Sequence, residues 1–221
     1  MDTVDKRCMD EWSSRLTNAL GDRKLDYLIL SHLEPNHSGS ILKLLSLYPD
    51  VTIVGNAKTF AMLPQFFDVP DVAKITVKEG DNLELGNHTL TFYMAPMVHW
   101  PEVMVSYENT EKILFSADGF GKFGALSIED EDGWACEARR YYFNIVGKYG
   151  GPVQTLLKKA STLEIKTICP LHGYWVGALF TAAITSSILA SSNASSRFFT
   201  NSVVSPPCEK STLSILCIML I

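Results

Sequence analysis

Four of the five histidines in this chain stand just past the end of an apolar, strand-like run. His32 and His37 follow Tyr27-Leu28-Ile29-Leu30, His99 follows Tyr93-Met94, and His172 follows Ile168-Cys169. Asp118 comes directly after the run that ends at Ser116. Layered α/β folds build their sites in loops at strand ends, so this placement demands a sheet architecture with one chemically active edge. Imidazole and carboxylate together suit zinc, iron or manganese. The fifth histidine, His88, lies within a hairpin strand and has no acidic neighbour at ligand spacing.

The rest of the chain can supply that architecture. Met9, Trp12, Leu16 and Leu20 mark one face of an amphipathic helix, with Gly21 as its stop. Ser31 to Ser38 reads as a polar loop, Ile41 to Leu47 as a helix, Val51 to Val54 as a strand, and Ala57 to Phe67 as a helix disturbed by Pro64. After Pro70 the period switches to two. Strands are expected at Ile75–Val77, Leu83–Leu85, Leu90–Tyr93, Val103–Tyr107 and Lys112–Ser116, with Gly86-Asn87 as a tight turn. Helices over about 134–148 and 153–161 and a strand over 165–169 complete a mixed body. Helices on the outer faces of two packed sheets would bury such a pattern.

Composition narrows the function classes. With 221 residues, 47% hydrophobic and 19% charged, the chain is neither disordered nor too short for a core. A net charge of -5 with no basic cluster argues against nucleic-acid binding. The five cysteines are scattered without a Cys-x-x-Cys pair, and the N-terminus has no apolar signal segment, so a cytoplasmic location is expected. From Tyr174 on, the composition breaks: 48 residues hold three charges and ten serines. The apolar stretch 175–190 is shorter than the roughly 20 residues that span a bilayer, so no membrane partner is expected.

Within His32-Leu33-Glu34-Pro35-Asn36-His37, His32 and Glu34 are two apart, and an extended backbone points them the same way. A bland alternative is a surface loop with two histidines and a Ser38 helix cap. His99 could be an imidazole packed on Trp100, Asp118 an Asx-turn residue before Gly119, and His172 a turn residue. Their joint placement at strand ends favours a shared site.

Together these residues resemble the metallo-β-lactamase superfamily. Leu33-Glu34-Pro35-Asn36-His37-Ser38-Gly39-Ser40, His99-Trp100-Pro101-Glu102-Val103-Met104, Ser116-Ala117-Asp118-Gly119-Phe120-Gly121 and Cys169-Pro170-Leu171-His172-Gly173 match it in order and spacing over residues 1–173. Glutamate at the second ligand position resembles the diiron branch, the flavodiiron proteins. The resemblance implies an α+β fold of αββα sandwich type. It implies metal ligands His32, Glu34, His37, His99, Asp118 and His172 around two iron ions. His32, Glu34 and His99 would take one ion, the residue at Asn36 with His37 and His172 would serve the other, and Asp118 would bridge the two. It further implies reduction of O2 to water or NO to N2O, with electrons from FMN in a flavodoxin-like domain, a flavin or rubredoxin-type donor, and a homodimer. Trp100, Phe120 and Phe123 would line the pocket or fill the core.

The chain departs from that pattern in three places. Asn36 stands where the family carries aspartate, so the second ion is expected to bind more weakly. The strands that precede residue 1 in the family have no counterpart here, so the fold is expected to be incomplete at its N-terminus with an exposed sheet edge. The resemblance stops at Gly173, so the Ser-rich stretch 174–221 is expected to lie outside the fold and the FMN domain to be missing. A dinuclear metal-dependent hydrolase and an inactive remnant are the alternatives. Glu34 and Asn36 both argue against the hydrolase.

Overall fold

The computed structural model describes residues 1–124, 134–173 and 176–177 of the chain. Helix α1 (Met9–Leu20) forms where the apolar spacing placed it, and Gly21 at φ 56 ends it. Strand β1 (Tyr27–Ile29) pairs in parallel with β2 (Thr52–Asn56), which pairs in parallel with β3 (Lys74–Val77). The second sheet contains β4 (Asn82–Leu85), β5 (His88–Met94), β6 (Met104–Glu108), β7 (Ile113–Phe115), β8 (Thr167–Cys169) and β9 (Val176–Gly177), neighbours in that order. All its pairs are antiparallel except β7 with β8. A β7–β8 pair in parallel needs a crossover, and α5 (Trp134–Tyr141) and α6 (Gly150–Ala160) lie within it.

Residue parity along the strands sets the layers. Leu28 and Ile53 point outward to Trp12, Leu16, Ile41 and Leu44 on α1 and α3 (Ile41–Leu47). Ile29 and Val54 point the other way and meet Leu90, Phe92, Met104 and Phe115 between the sheets. Val105, Tyr107, Leu114 and Ile168 cover the far face and pack on Val153, Leu156 and Leu157 of α6. The order is helix, sheet, sheet, helix, as expected for an αββα sandwich. Phe92 in the central layer is fully buried, which contributes about 1.5–3 kcal/mol.

Three local features have simple causes. The expected loop 31–38 contains a short helical turn, α2 (Pro35–Ser38), because Pro35 sits at a first-turn position where no N–H is needed. The helix expected over 57–67 is α4 (Ala57–Met62) followed by a 3-10 turn Leu63–Gln65, because Pro64 cannot donate to the α-helical ladder. Asn56, at the end of β2, caps α4 by accepting from Lys58 N and Thr59 N. After α5 the helix widens to a π turn over Tyr142–Val146, which keeps both of those residues buried.

The N-terminal residues cover part of the edge of β1. Asp2 N donates to Ile29 O at 2.7 Å, and Asp2, Thr3 and Val4 are buried. Thr3 N and Thr3 Oγ1 both donate to His37 O, which clamps α2. Gly39 makes this approach possible. A Cβ there would lie 2.7 Å from Pro35 O and 2.8 Å from Lys6 N, both backbone atoms. Gly39→Ala is therefore expected to destabilise the chain by about 1–3 kcal/mol, measured by urea unfolding. A loss below the precision of that measurement would show that the segment is not wedged there.

Among the described residues no helix is long and apolar enough to cross a membrane. The second sheet continues two residues past Tyr174-Trp175 as β9. The rest of the Ser-rich stretch lies outside the described residues.

Candidate metal centre

Four loops meet at the ends of β1, β5, β7 and β8. In the first, Asp2 Oδ1 accepts from Ser31 N at 2.7 Å and His32 N at 3.1 Å, fixing the backbone as it leaves β1. His32 Nδ1 lies 2.8 Å from Glu102 Oε1, which also accepts from Leu33 N at 2.9 Å. Glu34 is the residue before α2, and His37 lies within α2. The loop after β7 is a turn made by Ser116, which takes a bond from Gly119 N and donates from Oγ to Gly119 O. Ala117 (φ 49) and Phe120 (φ 64) are left-handed in this turn, as is Met97 (φ 65) before His99. Such residues cost on the order of 1–2 kcal/mol each in isolation, so the packed surroundings impose them. Lys122 N donates to His172 O and Leu171 N to Ala117 O, joining the third and fourth loops.

These loops bring all six sequence-derived residues together. His32, Glu34, His99 and Asp118 form one group, and Glu34, His37, Asp118 and His172 another, each with ligand atoms within 4.8 Å of one another. Asp118 is central: His99 Nε2 is 3.0 Å from Oδ2, His32 Nε2 3.6 Å, and His37 Nε2 and His172 Nε2 3.4 and 3.7 Å from Oδ1. Glu34 Oε2 is 3.4 Å from His99 Nε2 and 3.6 Å from His32 Nε2. His32, His37 and Asp118 are buried. His99, His172 and Glu34 keep 13%, 22% and 31% side-chain exposure and form the open side.

The donor set fits metal ions. His32 Nε2 and both Asp118 oxygens are buried without a hydrogen-bond partner. Buried polar atoms are rarely left so, and here they converge on a common space. The surface-loop reading of residues 32–37 fails because both histidines are buried. The Asx-turn reading of Asp118 fails because Ser116 makes the turn.

The ionisable groups of the site shift one another. Burial alone would lower His32, but Glu102, Glu34 and Asp118 outweigh it and push it up to about 10. His99, opposed by burial but supported by Asp118 and Glu34, is pushed up to about 9. Burial holds His172 down to about 4. The Glu34 carboxyl lies well below its usual range because of His32 and His99. Asp118 does too, since His37 and His99 overcome its burial.

Three contributors escaped the sequence reading. Glu102 is fully buried behind His32, yet in the sequence it is one acidic residue in a loop. Asp2 holds the His32 backbone from the far end of the chain. Tyr141 on α5 sets its ring 5.3 Å from that of His172, and burial with the nearby Asp118 charge raises its phenol well above the ordinary value. Only the tertiary fold marks these three. The aromatic expectations divide. Trp100 meets His32 edge-on at 5.2 Å and stacks on Phe66, Phe120 belongs to the core under α6, and Phe123 packs on Tyr141. His88 lies apart and does have an acidic partner, Glu108 Oε1 at 3.0 Å, contributed by the neighbouring strand rather than by sequence proximity.

Comparison with known proteins agrees with this arrangement. Residues 1–173 match the family described as ODP family beta lactamase. The nitric oxide reductase of Moorella thermoacetica is 33% identical over 180 residues, covering 78% of this chain and 45% of the relative. The rubredoxin-oxygen oxidoreductase of Megalodesulfovibrio gigas is 33% identical over 181 residues, covering 78% and 44%. The crystal structure of the flavodiiron protein from Giardia intestinalis superposes with a TM-score of 0.81 at 28% identity, over 87% of this chain and 48% of that one. The chain thus spans about half the length of the curated relatives it matches. On sequence and fold together, the chain belongs to the ODP family of beta-lactamase-like domains and is similar to flavodiiron proteins.

Proposed function

We propose that residues 1–173 form the metal-bearing domain of a flavodiiron-type oxidoreductase, reducing O2 to water or NO to N2O. The observation that carries this reading is the group His32, Glu34, His99 and Asp118, in which two carboxylates accompany two imidazoles. Hard anionic oxygens favour iron and stabilise its oxidised state more than imidazoles alone do. Relatives named nitric oxide reductase and rubredoxin-oxygen oxidoreductase support it.

When bound, the iron pair would supply the coordination and redox chemistry for the gas. The residues of the chain supply the setting. His32, Glu34 and His99 with Asp118 would hold one ion, and His37 and His172 with Asp118 the other. Glu102 orients His32, Trp100 packs on His32 and His99, and the partly exposed edge of Glu34, His99 and His172 leaves a way in for a small molecule. Electrons would come from FMN, carried by another domain or chain, with a rubredoxin-type protein as upstream donor and a homodimer as a natural assembly.

Anaerobic loading with Fe(II), followed by O2 or NO consumption with chemically reduced FMN, tests the reading. The loaded protein is expected to consume one of the gases. Asp118→Asn should lose more than the about 10–100-fold typical of an outer metal-site partner. A protein that retains zinc over iron and hydrolyses an ester or lactone instead would overturn it.

A further inference from the structure

We propose that the two ion positions are unequal: the one at His32, Glu34, His99 and Asp118 binds tightly, while the one at His37 and His172, where the neutral Asn36 amide lies beside His172, binds weakly. The inference rests on the reading that the cluster holds iron, and deepens it.

Three observations separate the positions. The first is charge. Glu34 and Asp118 belong to both groups of potential ligands, so the second position adds only two imidazoles of its own. Two carboxylates neutralise one divalent ion. A second ion would bring two further positive charges beside His37 and Asp118, which are buried, and that is costly. Asn36, which lies beside His172, is neutral. Glu102 does not redress the balance there, because its Oε1 is engaged by His32 and Leu33 N.

The second is occupation of the lone pair. Asn36 Nδ2 lies 3.3 Å from His172 Nε2, and His37 Nε2 lies 3.0 Å from the same atom. With Nδ2 on that side the amide can only donate, so in the tautomer that leaves His172 Nε2 unprotonated it competes with an ion for that lone pair.

The third is orientation. His32 is held from behind through Nδ1 by Glu102, whereas His37 Nδ1 is buried with no partner. Such outer partners change metal affinity by about 10–100-fold, so their unequal provision predicts a gap of that size.

Anaerobic titration of the metal-free full chain with Fe(II), read by equilibrium dialysis and metal analysis, tests this. One ion is expected to bind about 10–100-fold more tightly than the second. Asn36→Asp should tighten the second by about tenfold or more and leave the first nearly unchanged. Asn36→Ala, which only frees His172, should leave the second as it was or tighten it. Two equally tight ions in the wild-type chain, or an Asn36→Ala variant that weakens the second, would overturn the inference while the iron reading stands. A folded wild-type chain that binds no Fe(II) would instead overturn the iron reading itself.

Discussion

Glu102→Ala is expected to destabilise the metal-free protein by about 3–5 kcal/mol, the range for breaking a buried charge pair by removing one partner. The carboxylate is fully buried, and one oxygen serves both His32 Nδ1 and Leu33 N. Alanine would strand an imidazole and a backbone N–H inside the fold and leave a void. The two loops that bring His32 and His99 together would lose their common anchor, since Glu102 lies three residues beyond His99. Glu102→Gln should cost less, because its amide oxygen can still accept one of the two bonds. In both variants the first ion should bind about 10–100-fold more weakly, with little effect on the second. Urea unfolding and Fe(II) titration check this. An alanine variant within about 1 kcal/mol of wild type, below the usual cost of an unsatisfied buried group, would show that Glu102 anchors nothing.

The pH dependence of the metal-free protein should be large and should reverse when metal is added. His32 and His99, raised to about 10 and about 9, bind protons in the folded state that the unfolded chain releases near 6.5. Their stabilisation is fully present below 6.5 and is lost as pH climbs through 9 to 10. His172 has the opposite sign: held down to about 4, it disfavours the fold as pH falls from 6.5 towards 4. Glu34, Asp118 and Glu102 are all lowered, so their contribution is present above their unfolded values and is lost in acid. Stability should therefore peak near pH 6.5 and fall on the alkaline side by a few kcal/mol, an order-of-magnitude figure. A metal ion needs the imidazoles deprotonated, so its binding displaces protons and becomes more favourable as pH rises. Melting temperatures from pH 5 to 10, with and without Fe(II) or Zn(II), should show the alkaline fall only in the metal-free protein. A flat metal-free profile would mean that His32 and His99 are not protonated in the folded state.

Much of the fold was legible because local pattern and tertiary environment agree. The helical spacing of Met9 to Leu20, the short apolar run at Tyr27 and the period of two after Pro70 each specify an element and the faces that must be buried. Agreement was poorer at Pro35, where a short helical turn forms in an expected loop, whereas the break at Pro64 was expected. The exposed edge expected for β1 is partly covered, because Asp2 to Val4 fold back over it, a contact between residues about 30 apart.

The six candidate ligands were legible from the resemblance to the metallo-β-lactamase superfamily, together with their places near strand ends. A histidine or aspartate that directly follows an apolar strand is placed by that strand, so its position in the chain already implies its end of the sheet. The amino-acid sequence thus determined the layers, the edge at which the chemistry gathers and the residue types that gather there. Only the tertiary structure decided which groups support them. Glu102, Asp2 and Tyr141 reach the site from loops and a helix whose local pattern carries no sign of it, and the partner of His88 comes from the adjacent strand. Burial and charge coupling depend on distances through space, and those exist only once the sheets have packed.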